Sequence, residues 1–146
     1  MYYFAYGSNL NLDHMRRICG WHCRLLCRAK LPDFEFGLDS RGFANIRPKK
    51  GEVVHGMLYE VDEDGFSMLD EFEGYPKVYG RQEVVVLDEN NVKYKTQVYI
   101  EPPHEFGGTE PKEEFLMRVI ASAYENKLPE EWIKKLEKFA KKESKK

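Results

Sequence analysis

Two short stretches carry residues spaced to do chemistry. The first is Tyr6-Gly7-Ser8-Asn9-Leu10, which closes an aromatic run and opens a helix-like stretch. Gly7 lets the backbone turn sharply after a strand. Ser8, Asn9 and Leu10 then present N–H groups near a helix start. Amides there lack internal partners, and the helix dipole adds partial positive charge. Such a turn takes a carboxylate or phosphate oxygen, and small or polar side chains let the anion come close. An ordinary strand–turn–helix junction capped by Ser8 or Asn11 accounts for the same residues without a ligand.

The second stretch is LDEFEGYP, residues 69–76. GFSMLDEFE reads as a short helix stopped by Gly74, a natural left-handed cap. At roughly 100° per residue, Phe66, Met68, Leu69 and Phe72 share one side and Glu73 projects from its margin. Glu71 points roughly opposite, and Asp70 lies well off the apolar centre. Of three acids, only Glu73 is directed inward. A carboxylate pushed towards low dielectric is harder to ionise, which moves its pKa towards the range useful for proton transfer near neutral pH. A helix-end Glu that snorkels or pairs with a cation is the plainer alternative.

Other chemistry finds less support. No G-x-S-x-G, G-x-x-x-x-G-K-[ST] or H-E-x-x-H pattern occurs. His22, His55 and His104 stand alone, and no base accompanies Ser8 that would make it a nucleophile. Cys19, Cys23 and Cys27 are spaced C-x3-C-x3-C, with His14 and His22 nearby. That spacing lacks the C-x2-C pairs of common zinc sites, and Gly20 interrupts a continuous helix. Cys27 sits in the strand-like LLCRAKL, where a cysteine serves as a small apolar filler. Neither a metal nor a disulfide framework is expected. Arg16, Arg41, Arg47 and Arg81 are candidate cations for the same pocket, with no pattern to choose among them.

The elements that must position these residues follow from periodicity. Residues 2–6 read as a short aromatic strand, and 11–18 as a helix with Asn11 at its N-cap and Leu12, Met15 and Ile18 facing the core. Residues 24–36 read as a strand broken near Pro32. A turn at 40–42 leads into the short strand FANIRP, and Lys49-Lys50-Gly51 reads as another turn. Strands are expected at 52–61, 80–88 and 92–100. Gly56 marks a bulge or a close backbone approach, and Glu89-Asn90-Asn91 a hairpin turn. A Pro/Gly-rich loop follows from residue 101, then helices at 112–125 and 129–142. Several short strands with helices inserted and appended imply a mixed α/β (α+β) fold, a small, mostly antiparallel, barrel-like sheet flanked by helices.

The 146 residues suit one domain, spanning 1–140, with 141–146 a charged tail expected to be disordered. The net charge of −2 argues against nucleic acid as a partner, and the basic run at 134–146 reads as a solvated helix face. No apolar stretch approaches the ~18 residues of a membrane span, and no signal-like start is visible. No membrane partner and a cytoplasmic location are therefore expected.

Taken together, YGSNL and LDEFEGYP, with CRAKLPDFEF, ANIRP…GEVVHGMLYEV and ENKLPEEW, resemble the γ-glutamylcyclotransferase-like (AIG2-like) family. The resemblance implies the barrel fold, a substrate-anchoring loop of Tyr6, Gly7, Ser8, Asn9 and Leu10, and Glu73 as general acid/base. It implies that Tyr79 shapes the pocket. Where the family carries a tyrosine at the start of the late helix, this chain has Phe115, without the hydroxyl. The implied reaction is attack of the α-amine of a γ-glutamyl peptide or γ-glutamyl amine on its own γ-carbonyl, releasing 5-oxoproline and an amine. No metal or organic cofactor is implied. A non-catalytic binding protein that keeps the loop is the rival expectation.

Overall fold

The computed structural model describes residues 1–144, with side chains described as far as Ala140. Five strands close a barrel: β1 (Tyr2–Ala5), β2 (Cys23–Leu38), β3 (Ala44–Val61), β4 (Gly80–Asp88) and β5 (Lys93–Ile100), in the order β1-β3-β2-β4-β5. All neighbours run antiparallel except β1 and β5, which meet in parallel with Tyr3 opposite Gln97. The expected α+β class and barrel are therefore observed. Phe4, Leu58, Val86 and Val98 lie in the core within the barrel, Tyr59 packs on its other face, and helices cover part of the outside.

The sheet departs from expectation in one place. Pro32 does not end a strand, and Lys49-Lys50-Gly51 is not a turn between strands. β2 and β3 form one long ribbon that pairs from Cys23↔Val61 to Leu38↔Ala44. The register slips between Pro32 and Phe34, so β3 carries the extra residues as an excursion. The Asp33 carboxylate accepts the Gly51 N–H at 2.9 Å and closes that excursion. Proline is accommodated here because a slip in the ladder removes the need for its missing donor.

Gly56 is a close approach and not a bulge. It pairs in register with Ala29, and a Cβ added there would sit 2.1 Å from the Ala5 carbonyl oxygen and 2.9 Å from the Phe4 ring. Gly56→Ala should therefore push β1 off β3 and lower stability by about 2 kcal/mol. An unchanged urea midpoint in that variant would contradict this close contact.

Four helices are attached: α1 (Leu12–Cys19), α2 (Glu63–Glu73), α3 (Glu113–Glu125) and α4 (Glu130–Ser144). Asn11 caps α1 by accepting the His14 N–H, as its position predicts. α2 begins earlier than expected because Asp62 caps it through the Gly65 N–H. α4 continues into the segment expected as a disordered tail. The side chains of 141–146, and Lys145 and Lys146 altogether, lie outside the described residues. No helix among the described residues is long and apolar enough to cross a membrane.

Candidate active site

β1 delivers Tyr6 to the end of the barrel, where its buried hydroxyl donates to the Tyr99 carbonyl at 2.6 Å. The chain then leaves through a single 3-10 turn, Ser8–Leu10, that runs into α1. The turn's own bonds use the amides of Leu10, to Gly7 O, and Asn11, to Ser8 O. Those of Ser8 and Asn9 stand outside these bonds. The Leu10 N–H is thus not a free donor, against expectation, and its side chain is buried in the core.

Glu73 is the last residue of α2. Gly74 follows at φ 68°, the left-handed cap that lets the chain turn away, and donates back to the Glu71 carbonyl. Phe66 and Leu69 bury the inner stripe of α2, and Glu73 lies one turn further along it. Met68 and Phe72, expected to face inward, are exposed at 38% and 49%. Phe72 instead stands edge-on to His14 with ring centroids 5.1 Å apart, forming one lip of the cleft. Glu71 is exposed, as expected, though it lines the same mouth.

The two stretches meet. Asn9 is 2% exposed, and its Nδ2 donates to Glu73 Oε1 at 3.2 Å and to the Tyr3 hydroxyl at 2.7 Å. Its own carbonyl accepts the Tyr59 hydroxyl at 3.1 Å. Asn9 therefore locks the acid's orientation with its side chain, a role that amide spacing does not suggest. Burial pushes the Glu73 carboxyl from 4.5 up to about 7, against the opposing pull of Asn9 and of the more distant Arg41 charge.

A cleft of about 500 Å³ opens over this pair, with Ser8, His14, Arg17, Arg41, Tyr79 and Arg118 among its walls. A smaller recess of about 40 Å³ continues inward between Gly7, Asn9, Glu73, Tyr79, Tyr99 and Phe115. Tyr79 borders both, with its hydroxyl donating to the Ala44 carbonyl at 2.8 Å. Phe115 occupies the expected place in the wall, its ring 5.1 Å from that of Phe43. Thus Gly7, Ser8, Asn9, Glu73 and Tyr79 surround one cavity, Tyr6 supplies its floor, and Leu10 sits behind it.

Of the four candidate arginines, Arg41 alone lines the cleft. Arg81 is held on Asp70 at 2.8 Å, and the Tyr99 hydroxyl donates to the same carboxylate at 2.6 Å. That network ties α2 to β4 and β5 and so fixes the helix that carries Glu73. Arg47 pairs with Glu35 and lies over the Phe106 ring, away from the cleft. Sequence reasoning missed Tyr3, Phe43, Arg17 and Arg118, and gave His14 no place in this wall. All three cysteines are free thiols, and no cluster of metal-binding side chains occurs among the described residues.

Comparison with known proteins gives the family. The family model described as gamma-glutamyl cyclotransferase, AIG2-like, matches residues 3–117. The gamma-glutamylcyclotransferase of Mus musculus is 31% identical over an alignment of 147 positions, covering 92% of this chain and 76% of the mouse protein. A Rattus norvegicus gamma-glutamylaminecyclotransferase is 53% identical over 34 residues, 23% of each chain. A solved gamma-glutamyl cyclotransferase structure superposes with a TM-score of 0.85 at 26% identity, covering 94% of this chain and 86% of the other. The chain, a cyclotransferase enzyme by these relationships, belongs to the gamma-glutamyl cyclotransferase, AIG2-like family.

Proposed function

We propose that the protein closes a γ-glutamyl compound on itself to release 5-oxoproline and an amine, with Glu73 carrying the proton. The observation that supports this most is the 3.2 Å contact between Asn9 of the loop and the carboxyl of Glu73 inside one cavity. The substrate holds both reactants, the α-amine and the γ-carbonyl, so the enzyme's first task is to keep the chain folded. The α-amine enters as an ammonium. Glu73 takes one proton from it, and the freed nitrogen lone pair forms a bond to the γ-carbon. The carbonyl electrons move to oxygen, where the amides of Ser8 and Asn9 are available as donors. When the oxyanion collapses, the bond to the leaving nitrogen breaks and Glu73 returns its proton there; the ring nitrogen, which still carries two hydrogens, gives up the second to the released amine, which departs as an ammonium. No protein nucleophile takes part, and no atom is gained or lost.

A carboxyl with a pKa of about 7 suits both halves of this cycle, since it neither holds nor refuses the proton strongly near neutral pH. The outer cleft favours a leaving group that bears its own carboxylate. Arg17 on α1 and Arg118 on α3 both line it, and both charges act on His14 between them. A panel of γ-glutamyl dipeptides and γ-glutamyl amines, assayed for 5-oxoproline, tests the reading. Turnover should appear and should favour the dipeptides. Silence across the panel overturns the activity, and a preference for the amines overturns the role given to the outer arginines.

A further inference from the structure

Both the loop amides and the cleft arginines can meet negative charge, and a γ-glutamyl substrate brings at least two anionic demands. One is the permanent α-carboxylate. The other is the transient oxyanion. We propose that Arg41 holds the α-carboxylate of the γ-glutamyl moiety, leaving the amides of Ser8 and Asn9 to the oxyanion. This rests on the cyclotransferase reading given above.

Arg41 is built into place from behind. It lies in the loop between β2 and β3, and its Nη2 donates to Asp39 Oδ2 at 2.9 Å and lies 3.5 Å from Glu101 Oε2. Asp39 is 0% exposed and accepts the backbone N–H groups of Arg41 and Phe43 as well. Glu101, at the end of β5, is 3% exposed. The guanidinium also lies 5.1 Å from the Phe43 ring centroid. Two buried acids thus hold Nη2, and the Phe43 ring packs against the guanidinium. Its Nη1 and Nε meet no acceptor among the described residues, and the side chain is half exposed to the cleft. A planar cation pinned at Nη2, with N–H groups left on Nη1 and Nε, can still meet a carboxylate oxygen.

The charge count is consistent with that role. Glu101 Oε1 is buried without a donor, and the Glu101 carboxyl faces that of Asp39. A proton on Glu101, donated to the Asp39 carboxylate, satisfies both. Asp39 and Arg41 then cancel, and the cluster does not repel an arriving anion. Ionisation of Glu101 would leave it with a net negative charge.

Position separates Arg41 from the other two cleft arginines. The α-carboxylate and the α-ammonium share one carbon. A carboxylate anchor must therefore lie close to the base that takes the ammonium proton. Arg41 is the arginine whose charge reaches Glu73. Arg17 and Arg118 act on His14 at the outer wall, where the leaving group lies.

The experiment compares 5-oxoproline with its neutral carboxamide in equilibrium binding, and a γ-glutamyl dipeptide with a γ-glutamyl amine in turnover. Wild type should prefer 5-oxoproline by about tenfold or more. Arg41→Met should erase that preference and raise KM for both substrates alike, because both keep the α-carboxylate. Arg41→Met combined with Glu101→Gln guards against misfolding, since it removes a buried acid together with the cation, and should show the same loss. Arg41→Lys keeps charge without the fork and should recover only part of the preference. An unchanged preference in the Met variants, no preference in wild type, or a KM rise confined to the dipeptide each overturns the assignment. Turnover by wild type with no Arg41 effect sinks this inference and leaves the activity standing. Carboxylate-selective binding lost in Arg41→Met, without turnover in wild type, does the reverse.

Discussion

Replacing Glu73 by Gln should lower kcat by about 10²- to 10⁴-fold while KM changes little. The reason is geometric. Gln keeps the shape of Glu and an oxygen that can still accept the Asn9 Nδ2–H now directed at Glu73 Oε1. The loop, the recess and the donors around it stay in place. What disappears is the carboxyl in contact with the loop, the group there suited to accept and return a proton near neutral pH. A change confined to kcat is the mark of an interaction made in the transition state alone. The pH profile gives a second reading. In wild type, kcat should rise as pH passes through about 7, where Glu73 becomes the carboxylate that acts as base. That limb should be missing from the residual activity of the variant. Asp64→Asn, in the exposed first turn of the same helix, serves as the control and should leave kcat and KM unchanged. Activity in Glu73→Gln equal to wild type, with the limb intact, would show that another group moves the proton.

The inward direction of Glu73 was legible because helix periodicity places it one turn beyond Leu69, and Leu69 had to be buried. Periodicity failed for Met68 and Phe72 on the same helix. It sorts residues by type, while the barrel offers α2 only the narrow stripe that Phe66 and Leu69 fill. Phe72 gains its contact from His14, across a helix–helix contact that sequence spacing does not describe. The YGSNL loop was legible as a turn with spare amides, yet the useful group of Asn9 is its side chain. Asn9 and Glu73 are 64 residues apart, and only closure of the barrel brings them together. Asp39 and Glu101 were illegible for the same reason, and Arg41 was one of four arginines with nothing in the sequence to single it out. Asp39 lies in a loop read as a simple turn, and Glu101 in a Pro/Gly-rich segment where an acid is expected in water. The Lys49–Gly51 error has a different origin. Turn-forming residues mark a place where the chain leaves regular pairing, and a slip in a long ribbon satisfies that as well as a reversal does.

The two buried acids carry a cost that a pH titration of stability should expose. Glu73 is held up at about 7 and Glu101 at about 8, from a common starting value of 4.5. Burial is the leading cause for each, and the facing Asp39 adds to it for Glu101. Between 4.5 and those values the folded chain keeps protons that the unfolded chain has released. Folding stability from these groups is therefore complete below about pH 4.5 and falls as pH rises through 7 and 8. At about 1.4 kcal/mol per pH unit, the loss is at most about 3–4 kcal/mol for Glu73 and about 5 kcal/mol for Glu101. His14 and His55, kept neutral by burial, pull the other way below about pH 6.5. Comparing variants removes that complication, since both histidines remain in each. Urea unfolding at pH 5, 7 and 9 should find Glu101→Gln gaining on wild type with each step up to about pH 8 and then levelling. A Gln amide there can still donate to Asp39, so the hydrogen bond survives without a titrating proton. Glu73→Gln should gain earlier, with most of its advantage in place by about pH 7. A pH-independent difference between wild type and either variant would mean that the carboxyl titrates as it does in water. For Glu73 that result would also remove the physical reason for its basicity, because the burial that destabilises its carboxylate is what lets it take a proton from an ammonium near neutral pH.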